Sequence, residues 1–295
     1  MTDIKTRMAS VADAIETTLD GRIPQDEGAL GRVLDAMRYS ALGGGKRLRP
    51  FLLVSASALY DVPREYALRA GAAVEMIHCY SLIHDDLPAM DDSDLRRGRP
   101  SNHKAFDEAT AILAGDALLT QAFEVLAEAE THPNAAVRVG LALELARASG
   151  ARGMVGGQML DIEAETKPLD LAAIKRLQAL KTGALIRCAC VSGGVLGEAG
   201  ADDLGALRDY SEDLGLAFQI VDDLLDAFGD EAALGKPVGQ DAEMDKATFV
   251  KLLGADEARA EAARIVDSAV ARLDRFDKRA DDLRDVARFV LERSS

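Results

Sequence analysis

The chain has 295 residues, of which 48% are hydrophobic, 29% charged and 4% aromatic; this is the make-up of a globular protein with a large aliphatic core and excludes a disordered chain. The 35 Lys and Arg against 50 Asp and Glu give a net charge of -15, which repels a phosphate backbone and excludes general nucleic-acid binding. Any anionic ligand must be met locally, and the basic residues do cluster, in Lys46-Arg47-Leu48-Arg49 and in Arg96-Arg97-Gly98-Arg99.

Residues 1–16 mix Asp3, Lys5, Arg7, Asp13 and Glu16 among apolar residues without the apolar centre or cleavage pattern of a signal peptide, so a soluble cytoplasmic protein is expected. Charges or glycines interrupt each apolar run before it reaches the roughly 20 residues that cross a bilayer, and no membrane span is expected. Leu30, Val33, Leu34 and Met37 recur at helical spacing. The following segment, from Gly43 to Pro50, would present backbone N–H groups and a basic fork to an anion. It is not a Walker loop, because Ser40 stands where that motif needs its first glycine and Arg47 where it needs Ser or Thr.

After a turn at Asp61-Val62-Pro63 comes the strongly apolar segment Ala72 to Ile83. Within it Glu75 and His78 have the Glu-x-x-His spacing of diiron bundles, but such bundles need two copies and the four histidines supply no second. An anion-facing His78 is the preferred reading, with a core histidine as the ordinary alternative. Tyr80 lies five residues, about 7.5 Å of helix, before Asp85, where it would floor a pocket or else serve as a core or interface aromatic.

The segment Asp85-Asp86-Leu87-Pro88-Ala89-Met90-Asp91-Asp92 ends this apolar run in carboxylates. Pro88 removes a helix donor and is expected to end or kink the helix, so that Asp91 swings back toward Asp85. Arginines at 96, 97 and 99 directly downstream make sense if acids and bases hold one phosphorylated ligand, with magnesium bridging carboxylate to phosphate. The alternative is a run of surface ion pairs worth about 0 to 1 kcal/mol each.

Leu118, Leu119, Ala122, Phe123 and Leu126 predict another helix, followed by a turn at Thr131-His132-Pro133-Asn134. Cys79, Cys188 and Cys190 fit no disulfide framework or zinc site and read as buried packing residues in a reducing compartment. The helix predicted from Leu214 to Phe228 carries Asp222-Asp223-Leu224-Leu225-Asp226. Carboxylates at such spacing repel unless a cation neutralises them, and an all-oxygen ligand set favours a hard ion such as magnesium; the alternative is a solvated acidic stripe. A turn follows at Gly229-Asp230. The pattern Asp222-Asp223, Gly235-Lys236-Pro237, Lys246-Ala247-Thr248-Phe249 echoes the acids-then-bases order of the first half, as two similar half-sites. Sustained strand-like alternation is absent, and the whole reads as an all-α bundle of roughly ten helices in one domain, residues 1–295.

Several motifs in order resemble the trans-isoprenyl diphosphate synthases, most closely the bacterial farnesyl diphosphate synthase type: Gly44-Gly45-Lys46-Arg47-Leu48-Arg49-Pro50, the first aspartate motif with Arg96-Arg97-Gly98, Gly115-Asp116, Gly156-Gly157-Gln158 with Asp161, Lys181-Thr182-Gly183, and Phe218-Gln219 with Asp222 to Asp226. The resemblance covers nearly the whole chain. It implies an isoprenoid-synthase helical bundle around a central cavity, acting as a homodimer. It implies that Asp85, Asp91 and Asp222 ligate Mg2+, about three ions with Mn2+ as a substitute, supported by Asp86, Asp223 and Asp226. Arg96, Lys181 and Lys236 would grip the allylic diphosphate, with Lys246 also a substrate residue. Gly45, Lys46, Arg49, His78 and Arg97 would hold isopentenyl diphosphate, with Arg293 closing from the carboxyl terminus. Thr182, Gln219 and the backbone at Lys181 would stabilise an allylic cation. A bulky Tyr80 and the two extra residues in the first aspartate motif imply a farnesyl product. A geranylgeranyl product or a non-catalytic subunit is the rival expectation, and a terpene cyclase would have no use for Lys46, Arg49 and Arg97.

Overall fold

The computed structural model describes residues 3–26, 28–164, 166, 169–228 and 248–292, and these are almost wholly helical, as expected. They form two compact units: one of residues 1–54 and 62–142, the other of residues 55–61 and 143–295. Lys236, Lys246 and Arg293 lie outside the described residues.

In the first unit, α1 (Ile4–Arg22) and α2 (Gly31–Ala41) flank α4 (Arg64–Asp85), after α3 (Leu48–Ser57). Helix α1 is a plain amphipathic helix that buries Met8, Val11, Ile15 and Leu19. Helix α4 is different: Ala67, Ala70, Gly71, Ala72, Ala73, Val74, Met76, Ile77, Cys79, Tyr80 and Ile83 are buried on every side of it. Apolar residues all round mark a helix that neighbours enclose, and its small residues let them approach closely. Its most extensive neighbour is α6 (Glu108–Ala127), which follows the short α5 (Asn102–Ala105).

The start of α6 is capped by Asp107, whose carboxylate accepts the Thr110 N–H at 2.8 Å and the Arg32 guanidinium of α2 at 2.5 Å. One element departs from the all-helical expectation. Leu95–Arg96 and Arg99–Pro100 pair antiparallel as β1 and β2, with Arg97 and Gly98 both at positive φ (54° and 73°) in the two-residue turn. That is the twist a tight hairpin needs, and the run is too short to show alternation.

The second unit includes α8 (Met154–Ala164), α9 (Leu171–Gln178), a π-helical turn (Ala179–Gly183), α10 (Ala184–Leu196) and α11 (Ala201–Phe228). After them come α12 (Phe249–Leu253), α13 (Ala255–Arg272) and α14 (Asp281–Glu292). Helix α7 (Ala135–Ser149) begins in the first unit and ends in the second. The 28-residue α11 is the spine of the second unit and packs on α13 and α10; its fully buried Tyr210 donates to the Leu283 carbonyl of α14 at 2.7 Å. All three cysteines are free and buried, and burial pushes the Cys79 and Cys188 thiols up to about 12, which keeps them inert packing residues.

The sequence expectation about apolar runs needs one correction. Helix α6 and the continuous helix from Leu171 to Leu196 are long and apolar enough to cross a membrane by length and composition. Core helices pass the same test, and both are packed against neighbours within their units.

The Asp107 cap gives a pH-dependent prediction. The Thr110 N–H, the Arg32 guanidinium and the Thr110 hydroxyl hold its carboxyl at about 2. A depressed folded-state pKa contributes stability that is fully present above the unfolded value of about 3.9 and is lost as pH falls toward 2. Asp107→Ala should therefore lower the urea midpoint at pH 7, with the gap to the parent narrowing at pH 3.

Candidate active site

Helix α4 ends at Asp85, and the chain turns back on itself beyond it. The Leu87 N–H donates to the His84 carbonyl at 3.2 Å, that of Asp91 to Asp85 at 2.8 Å, and that of Ser93 to Asp86 at 3.2 Å. Pro88 has no N–H to continue the ladder, and the backbone of Asp91 is thereby returned to the helix end, as the sequence predicts. Asp85 is half-buried and Asp91 exposed. Asp86 is 2% exposed, and its oxygens take Arg96 Nε at 3.1 and 3.2 Å. Burial opposes the charge of Arg96, but Asp86, then Asp85 and Asp91, raise its pKa. The structure thus places Arg96 among the aspartates rather than apart from them.

The basic loop lies in the same unit. Gly44 and Gly45 have φ of 77° and 128°, and the guanidinium of Arg97 sits where a side chain on Gly45 would be, its Nη1 donating to the Gly44 carbonyl. The hairpin turn is thereby tied to the glycine loop. Lys46 is exposed and Arg49 half-buried. His78 is also half-buried, and burial, then Arg49, Arg97, Arg47 and Arg96, hold its pKa well below 6.5, so it is a neutral imidazole among guanidinium groups. A shallow cleft opens nearby, lined by residues that include Tyr39, Gly43, Cys79, Asp86, Arg96 and Arg97.

Arg47, which the sequence presents as one more basic residue of the loop, is 2% exposed and turned inward. Its guanidinium donates to Glu75 at 2.8 Å, to Glu16 at 3.0 Å and to the Ala41 carbonyl at 2.7 Å. Glu75 is itself 2% exposed. This pair accounts for Glu75 without iron, and it holds the loop between Lys46 and Arg49. Only an acid inside a strongly apolar helix hinted at it in the sequence, and the identity of its partner was not visible there.

In the second unit Lys181 and Thr182 lie in the π-helical turn between α9 and α10. Such a bulge inserts a residue and re-aims side chains, a common device at functional sites. Gly157 of α8 makes room for it: an added Cβ would stand 2.2 Å from the Lys181 nitrogen. Lys181 Nζ meets Asp161 at 2.5 Å. The Thr182 hydroxyl lies 3.4 Å from Gln219 Oε1, Gln219 Nε2 donates to Asp223 at 3.1 Å, and Asp223 also accepts the Phe249 N–H at 2.8 Å. Asp223 and Asp226 are buried and Asp222 half-buried on α11.

Among the described residues no three His, Cys, Asp or Glu side chains are assembled as a ready-made metal cage. The oxygen-only donors at the end of α4 still suit magnesium, which takes one or two carboxylates and completes its shell with phosphate oxygens and water.

Breaking a buried ion pair on one side leaves an uncompensated charge and costs about 3–5 kcal/mol. Arg47 keeps Glu16 as a second partner, so Glu75→Ala should lower the unfolding free energy by less than that, about 1–3 kcal/mol, in urea titrations, whereas Lys46→Ala, at an exposed position, should leave it within about 0.5 kcal/mol of the parent.

Residues 31–287 match the family model for polyprenyl synthetase. The farnesyl diphosphate synthase of Escherichia coli (strain K12) is 46% identical over 267 residues, 89% of each chain, and that of Haemophilus influenzae is 42% identical over 294 residues, 98% of each. Among solved structures, an FPP/GFPP synthase from Zymomonas mobilis matches with a TM-score of 0.89 at 48% identity, covering 98% of both chains. A family model matched over residues 31–287, with relatives of this identity over most of the chain, shows that the chain belongs to the polyprenyl synthetase family.

Proposed function

We propose that this protein is a farnesyl diphosphate synthase, condensing dimethylallyl and then geranyl diphosphate with isopentenyl diphosphate and releasing pyrophosphate. The observation that carries the reading is the pairing, within one unit, of a helix ending in aspartates with a glycine loop and hairpin rich in cations, tied together by the Arg97 bond to Gly44. Two anionic substrates need two kinds of grip, one through a divalent cation and one through basic side chains, and both kinds are present.

Asp85, Asp86 and Asp91, with Asp222, Asp223 and Asp226, are the residues proposed to hold magnesium, Asp86 and Asp223 mainly by fixing their neighbours. Magnesium held there would supply positive charge against that of the leaving pyrophosphate. Lys46, Arg49, His78 and Arg97 hold isopentenyl diphosphate. A neutral His78 donates one hydrogen bond without adding charge to an already cationic pocket.

Arg96 and Lys181 are each proposed as a contact for the allylic diphosphate. The bond from Gln219 Nε2 to Asp223 supports a role for its amide oxygen, together with the Thr182 hydroxyl, as the negative end of a dipole beside the allylic cation. The isopentenyl double bond attacks that cation, and the departed pyrophosphate takes the proton. Lys236 and Lys246 are proposed as further diphosphate contacts.

The family model runs across both units, so we treat residues 1–295 as one catalytic domain. Ile112 and Leu113 on α6 are 43% and 58% exposed, which supports a second copy of the chain as partner. Three free buried cysteines support a reducing, cytoplasmic setting.

With magnesium, dimethylallyl diphosphate and excess isopentenyl diphosphate, farnesol should dominate after dephosphorylation; dominant geranylgeraniol would keep the chemistry and overturn the length. Asp85→Ala should lose at least about 10²-fold in kcat while its circular dichroism stays that of the parent. Parent-like turnover by that variant would remove Asp85 from the metal set.

A further inference from the structure

We propose that His84 is a positioning residue for product length, its imidazole bracing Tyr80 from α4 against the backbone of α6. The proposal rests on the reading of Tyr80 as the floor of the hydrocarbon pocket.

Residues 80 and 84 are one helical turn apart and share a face of α4. Their rings meet edge to face, with centroids 5.7 Å apart and planes at 75°. Aromatic rings favour this geometry, in which the positive edge of one meets the negative face of the other. On its far side the imidazole reaches α6, where Nε2 lies 3.1 Å from the Ile112 carbonyl oxygen. A carbonyl can only accept, so Nε2 carries the hydrogen, and the ring is oriented by the bond as well as by packing.

Gly115, three residues further along α6, explains why the ring fits. A Cβ there would fall 2.1 Å from Nε2 and 2.6 Å from Cδ2 of His84. The imidazole, half-buried, occupies the volume that a side chain at 115 would need. Tyr80 is 7% exposed. The phenol ring therefore has the imidazole on one side, and the imidazole in turn has the backbone of α6 behind it. Neighbouring Ser81 is small and half-buried and offers no comparable brace.

A floor controls length only if it resists being pushed. A growing chain that reaches Tyr80 stops if the ring cannot rotate, and continues if the ring has somewhere to go. Removing the imidazole opens a space comparable in size to one isoprene unit directly beside the phenol. The consequence falls on where elongation stops, since His84 itself is not among the residues proposed to touch either diphosphate.

The experiment compares parent, Tyr80→Ala, His84→Ala and the double variant, each checked for a cooperative melt, by the ratio of geranylgeraniol to farnesol after dephosphorylation. His84→Ala should raise that ratio about tenfold. The double variant should go no further than Tyr80→Ala alone, because the brace acts only through the ring it supports. Farnesol alone from His84→Ala, beside longer prenols from Tyr80→Ala, would overturn the brace and leave the floor standing. Farnesol alone from both would remove the floor and the brace with it, and additive lengthening in the double variant would show His84 acting without Tyr80 and also overturn the proposal. Should His84→Ala fail to melt cooperatively, His84→Asn replaces it. The shorter side chain falls short of both the Ile112 carbonyl and the phenol, so it carries the same expectation, and unchanged farnesol from it is decisive against the brace.

Discussion

The first unit depends on burying one helix on all sides. With neighbours packed around it, α4 is held in place, and the chemistry is arranged along its length: Glu75, His78, Tyr80, His84 and Asp85 fall within about its last three turns. A carboxylate at the end of such a helix is fixed before any ligand arrives. A preorganised charge costs no rearrangement when a ligand's charge develops beside it.

Charges held this way have to be kept from collapsing onto one another. Two ion pairs do this in the first unit, the buried one of Arg47 with Glu75 and that of the half-exposed Arg96 with the buried Asp86. Desolvating such pairs consumes most of their attraction, so their net contribution to stability is small, but leaving either member alone is costly. Their effect is to lock geometry. Arg47 anchors the loop that presents Lys46 and Arg49, and Asp86 holds Arg96 beside the other two aspartates. Within one short motif, then, inward-facing residues position and outward-facing ones are left to meet ligands.

The second unit reaches the same end through a chain of hydrogen bonds. The π-helical turn breaks the regular spacing so that Lys181 and Thr182 leave the helix face that regular spacing would give them. A hydrogen-bonded chain from Thr182 through Gln219 to Asp223 and the Phe249 N–H then fixes the amide's orientation. Asp223 accepts from both Gln219 and Phe249, so one carboxylate of the second aspartate motif is committed to holding its neighbours in place.

What the sequence determined by itself was local. Helical spacing announced α2, α6 and the second half of α11, Pro88 announced the return of Asp91 to the helix end, and the density of acids and bases announced metal and diphosphate chemistry, because periodicity and chain stiffness act over a few residues. What only the tertiary structure decided was pairing. Nothing in Lys46-Arg47-Leu48-Arg49 says that Arg47 turns inward to Glu16 and Glu75, nor in Asp85-Asp86 that the second residue is taken by Arg96. Likewise, His84 reads as a helix residue like any other until Gly115 and the Ile112 carbonyl are brought against it. Burial and charge pairing are set by distances between residues far apart in the chain, and those distances exist only once the helices have packed.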